Sequence, residues 1–585
     1  MRIAILLVTL PLLSQDGAAI YKQHCANCHD AAAERVPPLA ALKAMPAAGI
    51  RASLETGKMR EQAAALSTAE RDRVAAFLGT STTATNPIAY CKGVPAANSK
   101  SDWNGWGPGL TNNRLQSNPS WDAAQIPRLK LKWAFALGQG VSARSQPSVV
   151  DGKLYIGSQS GMIYSLDAST GCAHWAFQSA SPIRSGLVAG AGQIFFGDSK
   201  ANIYAVNAAT GSQLWKTKAD EHSYAMGTGT VQFHNGILYV PVASSEEGVG
   251  AQPSYQCCTF RGSLVALDAT TGKQLWKTYV IAESPQPTKK NKIGTQMHGP
   301  SGAGVWSTPT IDTKTGRIYI ATGDNYSDPP TATSDAVIAL DLPSGKILWT
   351  KQLTPNDVFL MGCGTTKGPN CPDTAGPDHD LGQSPILVSL AGGKRALVVG
   401  QKSGIAHALD PDDEGKILWQ NRVGIGGTLG GIQWGSAADA HNMYVAVSDF
   451  ARVDRLPDPS KGGGLFALQL TTGEKIWTAL PAPCAEGKPR CSPGHSAAVS
   501  ATPTAIFAGS LDGHIRAFSA ANGQVIWDFD TAREFDTTNG AKANGGSIDG
   551  PGPVIANAML FTNSGYGSWG GMPGNVLLAF SVDGK

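Results

Sequence analysis

From about residue 129 to the C-terminus, short apolar runs alternate with polar turns in one repeating pattern. In each copy an apolar run ends in Leu-Asp or a variant, a Thr-Gly turn or a variant follows, and a tryptophan closes the copy. Short apolar runs between glycine-containing turns are typical of β-strands. Four complete copies cover residues 163–175, 203–215, 264–276 and 337–349. The pattern therefore predicts a series of repeated β-sheet units.

The repeat extends beyond these four copies to both ends of the region. Three more copies end at Trp419, Trp477 and Trp527. An eighth, residues 576–584, reaches the C-terminus before its tryptophan, while an unmatched strand with Trp133 precedes the first copy. Copies of this spacing suit four-stranded sheets with loops inserted on one face. We therefore predict a mainly β fold, an eight-bladed β-propeller whose last blade is completed by the strand at 129–135. The repeat-ending tryptophans are expected to be core wedges.

The N-terminal residues have the pattern of an export signal. Arg2 precedes an apolar run of about a dozen residues, which is too short for a helix across ~30 Å of hydrocarbon. No other run is long enough to span a membrane. The sequence predicts a signal peptide at residues 1–15 and a periplasmic protein that does not span the membrane.

A haem attachment motif follows the predicted signal. Cys25 and Cys28 can reach the two vinyl groups of a c-type haem, and the adjoining His29 can bind the iron. A second axial ligand is expected downstream, and Met59, after a glycine turn, is favoured over Met45.

The rest of the N-terminal region is read as helical. A capping box of Ser67 and Glu70 begins a predicted helix that ends before Gly79. We assign residues 16–79 to a small all-α cytochrome c domain, 80–100 to a linker without apolar period, and 101–585 to the propeller.

Composition narrows the functional classes. The chain has 585 residues, 42% hydrophobic and 16% charged, with 69 glycines, which excludes a disordered chain. A formal net charge of +3 gives no electrostatic reason to expect nucleic acid as a partner.

The cysteines also indicate export. Eight lie outside the haem motif, enough for four disulfides, and these need an oxidising compartment. Three pairs are adjacent or close in sequence: Cys257 with Cys258, Cys363 with Cys371 and Cys484 with Cys491. Cys91 and Cys172 remain, and the connectivity beyond the close pairs is left open.

The repeat resembles that of the pyrroloquinoline quinone (PQQ) dehydrogenases, and a haem c module ahead of the propeller is similar to the cytochrome-containing polyvinyl alcohol dehydrogenases. The motifs that carry this resemblance are loops at 143–147, 244–247, 257–262, 302–306 and 321–328. The family implies PQQ, haem c and Ca²⁺ as cofactors.

The resemblance assigns cofactor contacts to several loop residues. Trp306, which lies outside the repeat-ending series, matches the indole on which the planar cofactor stacks. Arg144 and Arg184 occupy corresponding points of successive blades and are expected to bind cofactor carboxylates. Cys257 and Cys258 match an adjacent-cysteine disulfide near the cofactor, although here the pair follows the expected metal-binding glutamate.

The same resemblance assigns a metal site. Glu247, with Glu246 as the second choice, and Asp324 or Asn325 match the oxygen ligands of calcium. Relatives that use lanthanides carry an additional aspartate two residues after their catalytic aspartate. The catalytic aspartate corresponds to Asp380 here, and the position two residues later is Gly382. Calcium is therefore the expected ion.

Two residues are expected to act on the reacting groups. Asp380 matches the catalytic base of the family, with Asp378 as the alternative. Lys402 matches the cation that stabilises charge developing at the quinone carbonyl.

Together these features imply a periplasmic quinohaemoprotein that oxidises secondary alcohols of polyvinyl alcohol to ketones. Its electrons would leave through haem c to a soluble periplasmic cytochrome c. Three alternatives stay open: a dehydrogenase of small secondary or aromatic alcohols, a non-enzymatic scaffold propeller, and an electron carrier that has lost its quinone.

Overall fold

The structure is a computed structural model of the chain. It describes residues 16–30, 37, 39–43, 45, 47–55, 59–60, 62–79, 88–93, 101–138, 140–363, 368–373, 375–453 and 456–585. The predicted signal peptide and the linker residues 80–87 and 94–100 lie outside the described residues. The chain divides into two compact units, Met1–Thr85 and Asn86–Lys585.

The first unit is helical in its described part. Its helices are Gly17–His24, Ala26–His29, Leu39–Lys43, Ala47–Glu55 and Thr68–Leu78. Ile20, Leu54, Val74 and Leu78 are buried in one apolar cluster, so the helices pack on each other. The predicted capping box is present: the Ser67 hydroxyl accepts from the N–H of Glu70, whose carboxylate accepts from the N–H of Ser67.

The second unit contains eight antiparallel sheets, the blades of a propeller. Seven have four strands, and the third has a short fifth strand, Ala225–Met226. Their first strands are Ser148–Val150, Val188–Gly190, Gln232–His234, Thr310–Asp312, Ile386–Ser389, Ala437–Ala438, Ser500–Ala501 and Val554–Ala556. Their second strands are Lys153–Gly157, Gln193–Gly197, Ile237–Ser244, Arg317–Ala321, Arg395–Gly400, Asn442–Ala446, Ala505–Gly509 and Met559–Ser564. Their third strands are Met162–Asp167, Asn202–Asn207, Ser263–Asp268, Ala336–Asp341, Ile405–Asp410, Leu465–Gln469, His514–Ser519 and Val576–Val582. Their fourth strands are Ala173–Gln178, Gln213–Lys218, Gln274–Tyr279, Ile347–Gln352, Lys416–Arg422, Lys475–Ala479, Val525–Asp530 and Leu129–Ala136.

Shorter elements lie in the connections between these strands. They are the strands Ala225–Met226, Gln286–Lys290, Gln296–Gly299, Ser301–Gly302, Asn325–Ser327, Arg452–Val453, Leu456–Pro457, Glu534–Asp536 and Lys542–Asn544, the helix Glu246–Gly250, and the 3₁₀ turns Ala123–Arg128, Ala391–Gly393 and Gly567–Trp569. None of the helices in the described ranges is long and apolar enough to cross a membrane.

The ring closes as the repeat pattern predicts. Leu129–Ala136 pairs antiparallel with Val576–Val582, so the strand from the start of the propeller becomes the fourth strand of the last blade. This pairing removes the open edge that a linear row of sheets would leave. The prediction of eight blades with this closure is confirmed.

The repeated residues hold neighbouring blades together. The Asp268 carboxylate accepts from the N–H groups of Thr270 and Thr271 and so stabilises its turn. In the equivalent turn of the first blade, Gly171 has a φ of 75°, and a Cβ there would lie 2.8 Å from the Trp133 ring. Trp175 donates its Nε1–H to the Ala208 carbonyl of the next blade. The repeat motif is therefore structural, as the wedge prediction requires.

A segment before the first complete blade, residues 101–116, runs along the first strands of the blades. Its backbone bonds to the first strands of several blades, including the Trp103 pairing with Val149 and the Arg114 carbonyl accepting from Ala501. The Arg114 side chain is fully buried and donates to the carbonyls of Trp106 and Val499. Burial lowers the pKa of Arg114 to about 9. The segment thus ties the blades to one another at their inner edges.

Four disulfides form, in agreement with the cysteine count. They are Cys91–Cys172, Cys257–Cys258, Cys363–Cys371 and Cys484–Cys491. Cys91 donates its N–H to the carbonyl of Ala173, and Tyr90 forms a bridge with the same residue. Residues 88–93 of the predicted linker are therefore fastened to the fourth strand of the first blade.

Candidate active site

The loops that lead into the first strands of the blades converge on a central cavity. This first cavity contains about 420 Å³ of space, a figure that includes the part open to solvent. Arg144 and Arg184 enter it from the first and second blades, Trp306 from the fourth and Trp434 from the sixth, and Tyr566 of the eighth blade completes the wall. Equivalent loops of four blades, together with Tyr566 from the loop between the second and third strands of the eighth, thus place side chains distant in sequence around one space.

Trp306 has a well-defined position in this cavity. Its ring stands edge-on to the Trp434 ring, with centroids 5.3 Å apart at an angle of 89°. Gly382 lies directly against the indole, because a Cβ built there would be 2.2 Å from Trp306 Cη2. The predicted stacking indole therefore lines the cavity and is held by close neighbours.

Arg144 and Arg184 give the cavity positive charge. The Arg184 guanidinium lies 4.9 Å from the Trp434 ring centre, and the Arg144 guanidinium lies 5.4 Å from that of Tyr566. Burial lowers the pKa of Arg184, with a smaller contribution from Arg144. Neither arginine forms an ion pair with a carboxylate in the described part of the chain. Aromatic walls with two such cations suit a planar, acid-bearing ring system such as PQQ.

A buried cluster of charged side chains lies beside Trp306. Lys402 Nζ donates to Asp378 Oδ1 and to Asp380 Oδ2, each at 2.6 Å. The N–H of Asp324 donates to Asp380 Oδ1 at 2.7 Å. Lys402 Nζ is also 5.5 Å from the Trp306 ring centre. The structure thus brings the predicted base, the predicted cation and the predicted indole together.

The electrostatics of the cluster distinguish the two candidate bases. Burial acts to raise the pKa of Asp380, but the Lys402 charge and the hydrogen bonds from Lys402 and the Asp324 N–H together lower it. Burial raises the pKa of Asp378 well above its ordinary value, and the nearby Asp380 adds to that rise. Burial disfavours the charge of Lys402, yet the two aspartates raise its pKa overall. Asp380 is therefore the better candidate for an ionised base at neutral pH.

The cluster contains three carboxyl groups and one lysine. Asp324, Asp378 and Asp380 can place carboxylate oxygens within 4.8 Å of one another. Burial, followed by the charges of Asp380 and Glu247, raises the pKa of Asp324 well above its ordinary value. Asp324 Oδ2 has no hydrogen-bond partner in the described residues. A divalent cation with hard oxygen ligands fits this arrangement.

The two adjacent glutamates have different surroundings. The Glu246 carboxylate accepts from the Tyr255 hydroxyl and from the N–H groups of Thr259 and Phe260, so its oxygens are engaged. Glu247, in contrast, acts electrostatically on Asp324 and on the lysine of the cluster. The short helix Glu246–Gly250 thus directs Glu246 to a loop and Glu247 to the cluster.

Asp324 and Asn325 also have different roles. The Asn325 amide donates to the Ser301 carbonyl, and its oxygen accepts from the Thr331 N–H. Asn325 therefore holds a loop together. Of the two predicted alternatives, Asp324 has the available oxygen.

The Cys257–Cys258 disulfide is buried outside the first cavity. Both sulfurs lie within about 3 Å of the position that a Cβ on Gly250 would occupy. Leu360 is in the same apolar cluster. The disulfide supports the end of the glutamate-bearing helix, and neither cysteine is among the described residues that line the first cavity.

Sequence reasoning missed four residues near this site. Trp434 and Tyr566 line the first cavity, and Trp434, like Trp306, falls outside the repeat-ending series, which is the signal that could have identified it. Asp357 accepts from the N–H groups at 378 and 379 and so positions the loop of the base. Asp335 is buried, and neither of its carboxylate oxygens has a partner within the described ranges. No local pattern marks these two aspartates.

The predicted haem ligands lie in the first unit. Cys25 and Cys28 are outside any disulfide. His29 is buried with its Nδ1 2.7 Å from the Pro37 carbonyl, a contact that leaves Nε2 for a metal when Nδ1 carries the proton. Met59 and Met45 both pack against the apolar cluster of this unit, so both sulfur candidates remain near its core. These residues fit a c-type haem.

Both units of the chain are similar to known protein families. Family models match residues 130–335 (outer membrane protein assembly factor BamB), 250–421 (glucose/ethanol/alcohol dehydrogenase, beta-propeller domain) and 13–78 (cytochrome c oxidase, cbb3-type, subunit III). Among solved structures, a quinohemoprotein alcohol dehydrogenase of Pseudomonas putida HK5 has a TM-score of 0.63 at 17% identity, covering 86% of this chain and 83% of that chain.

Two curated relatives match over nearly the full length. A polyvinylalcohol dehydrogenase of a Pseudomonas species is 42% identical, covering 97% of this chain and 94% of the relative. One from Sphingopyxis sp. (strain 113P3) is 41% identical, covering 98% and 94%. The chain therefore belongs to the polyvinyl alcohol dehydrogenase family of quinohaemoprotein alcohol dehydrogenases.

Proposed function

We propose that this chain is a periplasmic dehydrogenase that oxidises secondary alcohols of polyvinyl alcohol to ketones. The observation that carries the proposal is the buried Lys402–Asp380 pair beside Trp306, at the edge of a cavity lined by arginines and aromatic rings. Full-length similarity to two polyvinylalcohol dehydrogenases supports the substrate class.

The first cavity is the proposed PQQ site. Trp306 provides an aromatic surface for stacking, and Arg144 and Arg184 provide positive charge for carboxylates. Glu247 and Asp324 are the proposed calcium ligands, because their carboxylates act on the same cluster and Asp324 Oδ2 is unpartnered within the described residues. When bound, PQQ supplies a hydride acceptor, calcium a Lewis acid, and haem c a one-electron carrier.

Asp380 is the proposed base that accepts the proton of the substrate hydroxyl. Lys402 keeps its carboxylate ionised and oriented, and the Asp324 N–H fixes the second oxygen. Because burial excludes water from this pair, the hydrogen bonds to Asp380 are expected to be stronger than in solvent. Lys402 also lies close enough to the Trp306 ring for its charge to act on a ligand stacked there.

The first unit is the proposed route for electrons. Cys25 and Cys28 would hold haem c by thioether bonds, with His29 and Met59 as the axial ligands of its iron. A soluble periplasmic cytochrome c is the proposed external acceptor.

The test uses purified full-length protein supplied with PQQ and calcium. On addition of polyvinyl alcohol, the ferrous haem absorbance should rise. Asp380→Asn should slow this reduction by about 10²- to 10⁴-fold. Asp378→Asn tests the alternative base, and this variant should reduce haem faster than Asp380→Asn does.

Each result bears on a separate part of the proposal. If Asp380→Asn, folded and binding PQQ as wild type does, reduces haem at the wild-type rate, the assignment of the base is wrong. If small secondary alcohols reduce the haem and the polymer does not, the polymer substrate is wrong while the enzyme class stands.

A further inference from the structure

A second cavity adjoins the first one. It is similar in size to the first cavity and shares Trp434 and Tyr566 with it. The remaining wall comes from the sixth, seventh and eighth blades, whereas Arg144 and Arg184 belong to the first and second blades. Nothing in the proposed PQQ or calcium site uses this space.

The walls of the second cavity are largely apolar. Leu429, Phe450 and Leu511 contribute aliphatic and aromatic surface, and Trp434 and Tyr566 contribute ring surface. No lysine or arginine is among the described residues that line it. An anionic ligand is therefore disfavoured here, in contrast to the first cavity.

The two serines and Trp434 of this cavity already donate their hydrogens within the protein. The Ser448 hydroxyl donates to the Leu429 carbonyl at 2.8 Å, and the Ser496 hydroxyl donates to Asp549 Oδ1 at 2.7 Å. Trp434 Nε1–H also donates to Asp549 Oδ1. What these serines still offer is mainly acceptor lone pairs. A ligand that fits is an apolar chain whose polar groups can donate hydrogen bonds, as hydroxyl groups do.

Exposed apolar side chains occur close in sequence to residues that line the cavity. Asp449 accepts from the N–H groups of Ile425 and Gly426, and so joins the glycine-rich loop at 424–431 to the segment that carries Phe450. Ile425 is 85% exposed, and Val453 and Leu456 of the neighbouring hairpin are 56% and 49% exposed. In the chain, Ile425 precedes Leu429 and Val453 follows Phe450, so the exposed side chains lie on or next to segments that line the cavity.

The same loop connects the second cavity to the reactive cluster. The N–H of Gly427 donates to the Lys402 carbonyl at 3.0 Å. A Cβ on Gly431 would lie 2.2 Å from that carbonyl oxygen, so the loop packs directly on the backbone of Lys402. A ligand bound against Leu429 is therefore only one loop away from the residue that orients Asp380.

We propose that the second cavity binds the aliphatic segment adjoining the alcohol carbon to be oxidised, and that it selects chains bearing repeated hydroxyl groups. This inference rests on the proposed function and adds to it a binding site for the neighbouring units of a polyhydroxylated alkyl chain. Apolar walls hold the methylene groups, and Ser448, Ser496 and Asp549 accept from the hydroxyls.

The test fills the cavity and compares two substrates. Leu511→Trp and, independently, Leu429→Trp should lower the ratio of kcat/KM for a short polyvinyl alcohol oligomer to kcat/KM for 2-butanol by about tenfold or more. Leu480→Trp, at a side chain that is 74% exposed, is the matched control and should leave this ratio unchanged.

A binding measurement separates this proposal from the proposed function. Isothermal titration of the oligomer into full-length protein without added PQQ should show binding that both cavity-filling variants weaken and the control retains. Loss of binding in the variants supports the site even if wild type oxidises no alcohol, an outcome that would refute only the proposed function. If wild type does not bind the oligomer, or if folded Leu511→Trp and Leu429→Trp bind it as wild type does, the site does not exist.

Discussion

Gly382→Ala tests whether the position of Trp306 controls cofactor binding. A Cβ at 382 would lie 2.2 Å from Trp306 Cη2 and 2.5 Å from Cζ2, whereas favourable contacts between carbon atoms lie near ~3.5–4.0 Å. The new methyl group cannot move away from the indole towards Gln433, because the Gln433 carbonyl oxygen would lie 2.7 Å from the same Cβ. The indole must therefore move by about 1 Å, a distance large enough to disturb stacking on its face.

The size of the effect follows from this overlap. Forcing a methyl group into a packed site costs about 1–3 kcal/mol. If this strain is present when PQQ is bound and relieved when the site is empty, the Kd for PQQ should rise by about 5- to 150-fold, since ~1.4 kcal/mol corresponds to a factor of ten.

The assay is a titration of PQQ, with calcium, into full-length protein, together with the Tm of each variant. Gly109→Ala is the matched control, because a Cβ there meets nothing within 4 Å. Adding Trp306→Phe to Gly382→Ala removes the clashing ring and should recover part of the affinity. A folded Gly382→Ala protein that binds PQQ within about twofold of wild type would refute the reasoning that the indole supports the cofactor.

Three further predictions concern stability. Arg114→Lys should leave the buried Val499 carbonyl without its donor, at a cost of about 1–3 kcal/mol that a lowered Tm would reveal; an unchanged Tm contradicts this. Burial lowers the pKa of His407 to about 4, below the ~6.5 of the unfolded chain, so the unfolded state binds more protons as pH falls from 6.5 towards 4. Stability should decrease over that window, and His407→Leu should reduce the slope by about 1.4 kcal/mol per pH unit in urea unfolding; an equal slope in both proteins argues against a buried neutral imidazole. Cys91→Ser with Cys172→Ser should expose the segment at 88–93 to trypsin at Lys92, because the disulfide and one backbone bridge hold it; equal resistance on gels would show that the disulfide is dispensable there.

Local patterns in the chain were sufficient for the architecture. The Asp, Gly and Trp of each repeat act within one turn and its neighbouring blade, so their spacing predicts both the number of blades and the closure by Leu129–Ala136. The haem motif and the loop motifs likewise predicted the family, which two full-length relatives confirm.

Which atoms meet in the cavity was a matter of tertiary structure. Glu246 and Glu247 are neighbours in sequence, as are Asp324 and Asn325, and only the fold shows which oxygens are engaged by a loop and which act on the cluster. Asp357 supports the loop of the base without any local signal in its own segment. The physical reason is that blade repeats are stabilised by contacts between neighbours in sequence, whereas the site is assembled from the ends of blades that only the closed ring brings within hydrogen-bond distance.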